Sequence, residues 1–561
     1  QILSDGDYLA RSANWDDGIL VDVGAITWCS GTSGCEAGAV SFSNSLIGEH
    51  ANDQIGSGPT LFLENGRYVI LSPDWDWGSI TNAGAATWCS TSGCTGHITN
   101  TNSLLGSASG DQVGWKGIRL YYSGDYLILS PKWDHDGIAD IGAATWCNDA
   151  GGCAGEITPE NSLVGSQAGD GLEMDAVASF DVNNYMVMFP DWDNGATINA
   201  GAVKWCPASG GCAGEVNAES SLRGSNANDQ VGLFGTEMGG GKYILSNYNW
   251  NGGAAAGLGA VTFCTNPSGC VGVVSSSNSL VGSVGGDHVG SGSFNWNYDA
   301  LLYSHNYWHY GAAANAGALT FCKFNDLSSC SGPVSTANSL IGTHANDQVG
   351  QNFQFLPSGD YVVASSQWND VGAITFCSGG SGCKGSISTE NSLTGSSAGD
   401  QVGSNWRILE NGNYVVSSPY WNNGAMIDAG AVTLCNAATG CQGVISATNS
   451  LVGTTAYDTL GNYGLETLTN NDYLVHNPSW DNGNIIDAGN VAWCDGTSGC
   501  HGALASFPRS ASGTSPNGGF YMTYAFDSVN HQIVVGRPAD NIVTVLAQTI
   551  EYEIFLPVIK R

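Results

Sequence analysis

The sequence predicts an all-β protein, a single β-propeller of nine four-stranded blades that each bear one disulfide. Three observations lead to this prediction. A unit of about 58 residues recurs from the N-terminus to about residue 505, and such a period is typical of blades or solenoids. Each unit offers short β-branched segments between turn signals. No segment keeps a 3.6-residue apolar period over ten residues, so we expect almost no helix.

One full unit, residues 400–449, shows the predicted elements in order. The first strand is VGSNWRIL, and the Asn-Gly turn after it suits a tight hairpin. The second strand is NYVVSSP, the third is AGAVTLC, and the fourth, QGVIS, follows the second cysteine. We interpret NSLVG and the loop that ends at Asp-x-Val-Gly as the connection to the next unit.

The second and third strands are apolar on both faces, as in YVVSS and GAVTLC. Strands of this kind belong in a sheet that is covered on both sides. Four-stranded sheets stacked around an axis, as in a β-propeller, provide that environment. A β-solenoid ranks second, because its coils are normally much shorter than this unit.

The 18 cysteines form nine close pairs with none left over, and consecutive pairs lie 55–60 residues apart. A structural zinc site needs four ligands, hence two such pairs, and nine is odd. A catalytic dithiol would not need nine copies, so we predict nine local disulfides, each contributing about 2 kcal/mol. We expect each to clamp the hairpin of the third and fourth strands, and together they indicate an oxidising compartment. The predicted pairs are Cys29 with Cys35, Cys89 with Cys94, Cys147 with Cys153, Cys206 with Cys212, Cys264 with Cys270, Cys322 with Cys330, Cys377 with Cys383, Cys435 with Cys441 and Cys494 with Cys500.

The charge is strongly negative, with 49 acidic residues against 15 basic ones and a net charge of −34. Nucleic acid is therefore not an expected partner, because phosphate binding needs clustered Lys and Arg. No apolar run is long enough to span a bilayer, so membrane insertion is not expected either. We expect no cofactor and no resident metal. Calcium is the one ion that the acidic composition leaves open, although no EF-hand spacing occurs.

Two rows of large residues recur once per unit. One row precedes each first cysteine, and the other is a tryptophan that ends every second strand. We expect both to pack between blades, because aromatic side chains bury large areas. The alternative is one sugar-stacking platform per blade. The second row consists of Trp15, Trp75, Trp133, Trp192, Trp250, Trp308, Trp368, Trp421 and Trp480.

The succession Asp-x-Val-Gly, Tyr-Val-Val-x-Ser-Pro and Ala-Gly-Ala-Val-Thr resembles the FG-GAP repeat of integrin α-type propellers. The resemblance implies a propeller of such units, but the calcium loop of that family is missing from turns such as LENGNY. The NSLVGS segments also resemble repeats of large bacterial surface exoproteins of the filamentous-haemagglutinin type, which implies an extracellular surface protein.

An aspartate fills the first position of Asp-x-Val-Gly or its equivalent in eight units. We expect each carboxylate to cap a turn by accepting backbone N–H groups, with cation binding as the alternative. These residues are Asp53, Asp111, Asp170, Asp229, Asp287, Asp347, Asp400 and Asp458.

Both ends of the sequence depart from the repeat. The sequence starts at Gln1, from which we expect a cleaved signal peptide and export.

We divide the chain into a nine-repeat propeller, 1–505, and an atypical β segment, 506–561, that forms a tenth blade or closes the ring. The segment ends in TIEYEIFLPVIKR, which would be a sticky edge if left uncovered. It packs on its own propeller or adds to a neighbouring subunit. Our candidate subunit contacts are Ile550, Tyr552, Ile554, Phe555 and Leu556.

No catalytic motif appears, so we expect no enzymatic activity. The sixth unit departs most from the others, reading YSHNYWHYGAA at 303–313, and Trp308, His309 and Tyr310 are candidate glycan-binding residues.

The favoured function is a secreted structural protein that self-associates into a cell-surface filament, sheath or adhesive assembly. The alternative is a carbohydrate-binding surface adhesin that uses the tryptophan row.

Overall fold

The computed structural model describes residues 1–36, 38–121, 123–179, 183–253, 255–265, 269–547 and 552–555. The chain divides into two units. Unit 1 comprises Gln1–Ser291 with Leu327–Pro333, and unit 2 comprises Gly292–Asp326 with Val334–Arg561.

Strands account for nearly all the regular structure of the described residues. Unit 1 contributes β1 to β24 and unit 2 contributes β25 to β27: β1 Tyr8–Ser12, β2 Ala25–Ser30, β3 Gly34–Cys35, β4 Leu46–Ile47, β5 Thr60–Phe62, β6 Tyr68–Ser72, β7 Ala85–Cys89, β8 Gly96–His97, β9 Ser103–Leu105, β10 Lys116–Arg119, β11 Tyr126–Ser130, β12 Ala143–Cys147, β13 Gly155–Glu156, β14 Ser162–Val164, β15 Asp175–Ala178, β16 Asn184–Phe189, β17 Ala202–Pro207, β18 Gly214–Glu215, β19 Leu222–Arg223, β20 Phe234–Glu237, β21 Tyr243–Asn247, β22 Ala260–Cys264, β23 Gly272–Val273, β24 Ser279–Val281, β25 Phe294–Trp296, β26 Ala300–His305 and β27 Ala318–Lys323.

The remaining strands belong to unit 2, except β28, which belongs to unit 1: β28 Gly332–Pro333, β29 Ser339–Ile341, β30 Asn352–Phe355, β31 Tyr361–Ser365, β32 Ala373–Cys377, β33 Gly385–Ser386, β34 Ser392–Thr394, β35 Asn405–Ile408, β36 Tyr414–Ser418, β37 Ala431–Cys435, β38 Gly443–Val444, β39 Leu451–Val452, β40 Gly464–Thr467, β41 Tyr473–Asn477, β42 Asn490–Cys494, β43 Gly502–Ala503, β44 Ser510–Ser512, β45 Thr523–Asp527, β46 Gln532–Arg537, β47 Ile542–Ala547 and β48 Tyr552–Phe555. Short 3₁₀ turns lie at Glu64–Gly66, Phe324–Ser329, Trp368–Asp370, Leu504–Ser506, Gly519–Tyr521 and Pro538–Asp540.

These strands form ten sheets in the described residues, numbered here in chain order. Eight of them have five strands, and sheet 7, with the order β30-β31-β32-β34-β38, is representative. Strands β30, β31, β32 and β34 run antiparallel to their neighbours, while β38 joins in parallel. The all-β architecture and the repeated disulfide-bearing sheets are therefore confirmed.

The assignment of the outer strands differs from the sequence prediction. The NSLVG segment that we interpreted as a connection contains the fourth strand. In sheet 7 this strand is β34, Ser392–Thr394, and all three of its residues are buried. The QGVIS segment after the second cysteine leaves its own sheet. Its Gly443 and Val444 pair with Leu393 and Thr394 of the preceding sheet. Each of the second to ninth repeats therefore supplies a fifth strand to its predecessor.

The core lies between the faces of successive sheets. In β6, Val69 and Leu71 pack toward sheet 3 with Ile128 and Trp133. The alternate residues, such as Ile70, pack toward sheet 1. All five residues of β6 are buried, which explains why this strand is apolar on both faces.

All 18 cysteines lie in the described part of the chain, and none is free. In the pair Cys435 and Cys441, for example, the Cα atoms are 5.1 Å apart. The bonds join Cys29 with Cys35, Cys89 with Cys94, Cys147 with Cys153, Cys206 with Cys212, Cys264 with Cys270, Cys377 with Cys383, Cys435 with Cys441 and Cys494 with Cys500. Cys322 and Cys330 are disulfide-bonded as well.

The place of the second cysteine corrects the sequence prediction that each disulfide clamps a hairpin of one sheet. The second cysteine of eight pairs lies outside any strand, two residues before the strand that crosses to the preceding sheet. These residues are Cys94, Cys153, Cys212, Cys270, Cys330, Cys383, Cys441 and Cys500. Cys35 differs, because it lies in β3, which pairs with β2 of the same sheet. In the other eight repeats the disulfide therefore ties the third strand of one sheet to the segment that completes the sheet before it.

The last two sheets have four strands each. At the edge of sheet 9, the Ser512 carbonyl accepts a hydrogen bond from the buried Arg537 guanidinium of sheet 10. In sheet 7 the corresponding carbonyl, that of Thr394, accepts from the backbone N–H of Ile445 at 3.0 Å. A charged side chain thus replaces the fifth strand, which is a common protection of sheet edges.

The backbone of β48, Tyr552–Phe555, pairs antiparallel with β47 of the same chain. The sequence left two placements open for the tail, on its own chain or on a neighbouring subunit. The described backbone of β48 lies on its own chain. Of the predicted subunit contacts, Ile550 and Leu556 lie outside the described residues. The side chains of Tyr552, Ile554 and Phe555 lie outside them as well.

Within the described ranges, the chain has no helix of the length and apolarity that a membrane crossing requires.

Candidate functional site on the tryptophan loops

The segment between the second and third strand of each repeat, which starts near the recurring tryptophan, is called here the tryptophan loop. The segment from the fourth strand to the first strand of the next sheet, which contains Asp-x-Val-Gly, is called the aspartate turn. In sheet 8 the tryptophan loop spans 419–430, and the aspartate turn of the same repeat spans 453–463. Loops held on a rigid scaffold are the usual carriers of function.

The aspartate turn is fastened to the tryptophan loop of the next repeat by one carboxylate. Asp400 Oδ2 accepts the N–H groups of Ser396 and Ser397 at 2.7 and 2.9 Å. Its Oδ1 accepts the N–H of Asn422 in the following repeat at 2.9 Å. The predicted turn cap is confirmed, and the same carboxylate also links two repeats. The bond to the following repeat recurs in the pairs Asp53–Asp76, Asp111–Asp134, Asp170–Asp193, Asp229–Asn251, Asp347–Asn369 and Asp458–Asp481.

Burial opposes the ionisation of Asp111, one of these turn aspartates. It raises the pKa of the Asp111 carboxyl above its ordinary value of 3.8, and N–H donation from Ala108, Asp134 and Ser107 offsets part of this shift. A carboxylate that is already held by three donors has little capacity left for a cation. Within the described residues, no group of three or more His, Cys, Asp and Glu side chains has an arrangement that could hold a metal ion.

The recurring tryptophans are packing residues. Trp133 lies in the core between sheets 2 and 3, and Trp308 is only 4% exposed. The buried members are Trp75, Trp133, Trp192, Trp250, Trp308, Trp368, Trp421 and Trp480. A buried indole cannot serve as a stacking platform for a sugar, so the row does not form the repeated glycan site that was the alternative expectation.

The candidate cluster of the sixth repeat separates into an inner and an outer part. Trp308 is buried, His309 is partly buried and Tyr310 is exposed. The rings of Trp308 and Tyr310 have centroids 6.2 Å apart and are tilted by 43°. Trp308 therefore cannot act as a glycan contact, which corrects its candidate role, and only Tyr310 of the ring pair presents a face to solvent.

Four of the tryptophan loops present a large apolar side chain to solvent at the tip. Asn422 Oδ1 accepts the N–H of Asp428 at 2.8 Å, which closes the loop around its tip. The tip residue before Asp428 is Ile427, which is exposed. Equivalent exposed tips are Val21, Ile198 and Ile486.

Each tip carbonyl accepts a hydrogen bond from one residue of the aspartate turn, and that residue always has a positive φ. Asparagine or glycine fills the position in every repeat but one, as expected for left-handed backbone. The exception is Tyr457, with φ of +67° and an exposed fraction of 63%. The other residues are Asn52, Gly110, Gly169, Asn228, Gly286, Asn346, Gly399 and Asn517.

Tyr457 belongs to a set of exposed side chains near the last sheets, called here the aromatic patch. It consists of Ile427, Tyr457, Tyr463, Ile486, Phe520 and Tyr521, all of which are exposed. The rings of Tyr463 and Phe520 meet edge to face, with centroids 6.3 Å apart. The backbone N–H of Tyr457 donates to the Ile427 carbonyl at 2.8 Å. Sequence reasoning did not single out these residues.

The family model that matches the chain is described as a repeat of unknown function (DUF5650), and the chain belongs to this family. It matches nine times, which agrees with the nine predicted units: residues 2–57, 62–115, 121–173, 180–233, 237–291, 300–351, 355–404, 408–462 and 467–512. The resemblance to integrin-type repeats stays a prediction, because this family model is described only as a repeat of unknown function. No curated protein sequence matches the chain.

The solved structures that match the chain share low sequence identity and low TM-scores with it. Virginiamycin B lyase from Staphylococcus aureus is 8% identical, with a TM-score of 0.23, over 56% of this chain and 81% of the lyase. PorZ, a surface component of the type-IX secretion system of Porphyromonas gingivalis, is 10% identical, with a TM-score of 0.24, over 94% of this chain and 60% of PorZ. A putative 6-phosphogluconolactonase from Bacteroides uniformis is 11% identical, with a TM-score of 0.23, over 72% of this chain and 97% of that chain.

Proposed function

We propose that the chain is a secreted, non-catalytic structural component of a cell-surface filament, sheath or adhesive layer. Copies of the chain join through the aromatic patch. The disulfides place the folded chain in an oxidising compartment, and export to the cell surface is part of the proposal.

Tyr457 is the observation that carries this proposal. A non-glycine residue in left-handed backbone costs about 1 kcal/mol or more, and such strain tends to occur at functional sites. Every equivalent position avoids the strain by using asparagine or glycine. Core packing does not offset this strain, because the Tyr457 side chain is exposed. A contact with another copy would explain why the residue is both strained and exposed.

The composition of the aromatic patch suits contact with another copy. A net charge of −34 makes most surfaces of two copies repel each other. The patch consists of six uncharged side chains, and Tyr and Phe are enriched where proteins associate. The copies can therefore approach most easily through the patch. We propose that β48 and the residues after it also contribute to subunit contacts, as expected from the sequence of the tail.

The proposal is tested by negative-stain electron microscopy and sedimentation of the purified chain. The wild type is expected to form regular filaments or sheets, and Tyr457→Asn is expected to remain monomeric. Tyr298→Asn is the control, because it removes a tyrosine that is 95% exposed elsewhere in unit 2. Assembly that survives Tyr457→Asn would reject the patch as the contact.

The contribution of the tail is tested by a deletion that spares the described strands. Deleting 540–561 would remove β47, which pairs with both β46 and β48 of sheet 10. Deleting 556–561 leaves the described strands in place. Weaker assembly with an unchanged melting temperature would support a contact by the tail.

A further inference from the structure

We propose that Trp115 and its neighbours form a saccharide-binding site in unit 1. A cavity of about 90 Å³ opens beside Trp115. It is lined by Asp111, Gln112, Trp115, Pro131, Lys132 and Leu172. The site lies where the aspartate turn that ends the second repeat meets the tryptophan loop of the third.

Trp115 is exposed, and the repeat does not need it for packing. It is 56% exposed, whereas eight of the nine recurring tryptophans are buried. It follows the glycine of Asp-x-Val-Gly, where three other repeats carry Ser57, Ser291 and Ser404. The fold therefore does not require an aromatic ring at this position. The exposed Leu172 lines the same cavity, and exposed apolar side chains that cluster in this way are candidate binding residues.

Gln112 supplies a hydrogen-bond acceptor to the cavity. Its Oε1 is buried and has no hydrogen-bond partner. At the equivalent junction between the fourth and fifth repeats, Gln230 Oε1 accepts from Asn249 Nδ2 at 2.6 Å. Lys132 takes the place of that asparagine, and its Nζ lies 6.0 Å from the centroid of the Trp115 ring. Lys132 does not bond to Gln112 Oε1 in this structure, so the acceptor is left for a ligand.

These groups together define the chemistry of the ligand. The indole face of Trp115 and the Leu172 side chain, which is also exposed, suit an apolar ring face. Gln112 Oε1 needs an O–H or N–H donor, and Lys132 Nζ offers donors to an oxygen acceptor. A pyranose ring has an apolar face and a rim of hydroxyl groups that both donate and accept. It fulfils all three requirements, with the ring on Trp115 and one hydroxyl directed to Gln112.

Lys132 distinguishes between two kinds of saccharide. With a neutral sugar, its ammonium donates to a hydroxyl or ring oxygen. With an acidic sugar, it also pairs with the carboxylate of a uronic acid, and that pairing weakens as salt is added. Both ligands use the same ring stacking and the same contact with Gln112, so both require Trp115.

The test is binding of the whole chain to immobilised hexasaccharides, some neutral and some containing uronic acid. Trp115→Ser introduces the residue of three other repeats, and Lys132→Asn introduces that of the fifth repeat, so both variants should keep the fold. We expect each variant to bind a retained saccharide at least tenfold more weakly than the wild type. Ile198→Ser, which removes an exposed side chain outside the cavity, should bind normally.

If the wild type retains only saccharides that contain uronic acid, Lys132 binds a carboxylate. If it retains neutral saccharides, Lys132 binds hydroxyl groups. Either result supports the site, provided that Trp115→Ser no longer binds the saccharide. The proposal is overturned if the wild type retains no saccharide, or if Trp115→Ser retains it equally well with an unchanged melting temperature. All of these variants are compared in the Tyr457→Asn background, which the proposed function expects to be monomeric, so this proposal and the proposed function can fail separately.

Discussion

The backbone N–H of Tyr457 donates to the carbonyl of Ile427 over 2.8 Å, and Tyr457 adopts φ of +67° to do so. The same bond joins Asn52 to Val21 and Asn228 to Ile198. The repeat thus fixes the backbone at this position, and only the side chain is free to vary. A strained tyrosine at this position links the local geometry of the fold to the proposed association.

Tyr457→Asn should raise the free energy of unfolding by about 1 kcal/mol, because asparagine tolerates left-handed backbone far better than tyrosine does. Urea denaturation of the monomeric chain measures the change. Tyr463→Asn is the matched control, because Tyr463 is an exposed patch residue outside the positive-φ set, and it should give no gain. A destabilised Tyr457→Asn variant would show that the tyrosine side chain stabilises the fold.

Trp308→Ala should lower the free energy of unfolding by about 3–5 kcal/mol, the usual range for removing a buried aromatic ring. Tyr310→Ala, two residues along on the exposed side of the same loop, should change it by no more than about 0.5 kcal/mol. Denaturant unfolding of both variants checks the pair. Equal and small effects would mean that Trp308 does not pack in the core.

Replacing both Cys435 and Cys441 by alanine should loosen two sheets at once. The disulfide ends the third strand of sheet 8, but the segment after it completes sheet 7 through the bond from Ile445 N–H to the Thr394 carbonyl. We expect a loss of about 2 kcal/mol and faster hydrogen exchange at the Ile445 amide. Unchanged exchange at Ile445 would show that the fifth strand holds without the disulfide.

His305 should make unit 2 sensitive to acid. It is fully buried, its Nε2 lies 3.0 Å from Thr320 Oγ1, and burial lowers its pKa from 6.5 to about 3. The unfolded chain therefore binds the proton first, so the stability that is present above pH 6.5 is lost as the pH falls toward 3. The loss is about 1.4 kcal/mol per pH unit within this window.

The measurement for His305 is the slope of unfolding free energy against pH between 7 and 4.5. His305→Ser installs the residue found at the same position in other repeats, namely Ser72, Ser130, Ser365 and Ser418. The unfolding free energy of this variant should depend less steeply on pH than that of the wild type, and the difference in slope is the contribution of His305. A loss of packing shifts the whole curve but does not change this slope. Parallel curves would contradict this account.

The sequence was sufficient for the parts of the fold that have a local pattern. The second and third strands are recognisable because both of their faces are apolar, as in YVVSS. The role of Asp400 follows from its place in a turn, and the packing role of the tryptophan row follows from its recurrence. The structure confirms each of these.

The remaining parts of the fold depend on distant partners. The fourth strand has only two or three residues, as in Ser392–Thr394, too few to show an alternating pattern. The pairing of Gly443 with Leu393 joins two repeats, and nothing near either residue specifies the other. Tyr457 departs from equivalent positions that hold Asn or Gly, and Trp115 is an aromatic residue where three other repeats have Ser. Aligning the repeats reveals them, but their exposure and backbone geometry come only from the structure.

The central claim is that copies of the chain associate through the aromatic patch. Sedimentation velocity of the wild type beside Tyr457→Asn, at equal concentration and ionic strength, tests it most directly. We predict large, concentration-dependent species for the wild type and a single monomeric boundary for the variant. A wild type that stays monomeric, or a variant that assembles equally well, would contradict the account.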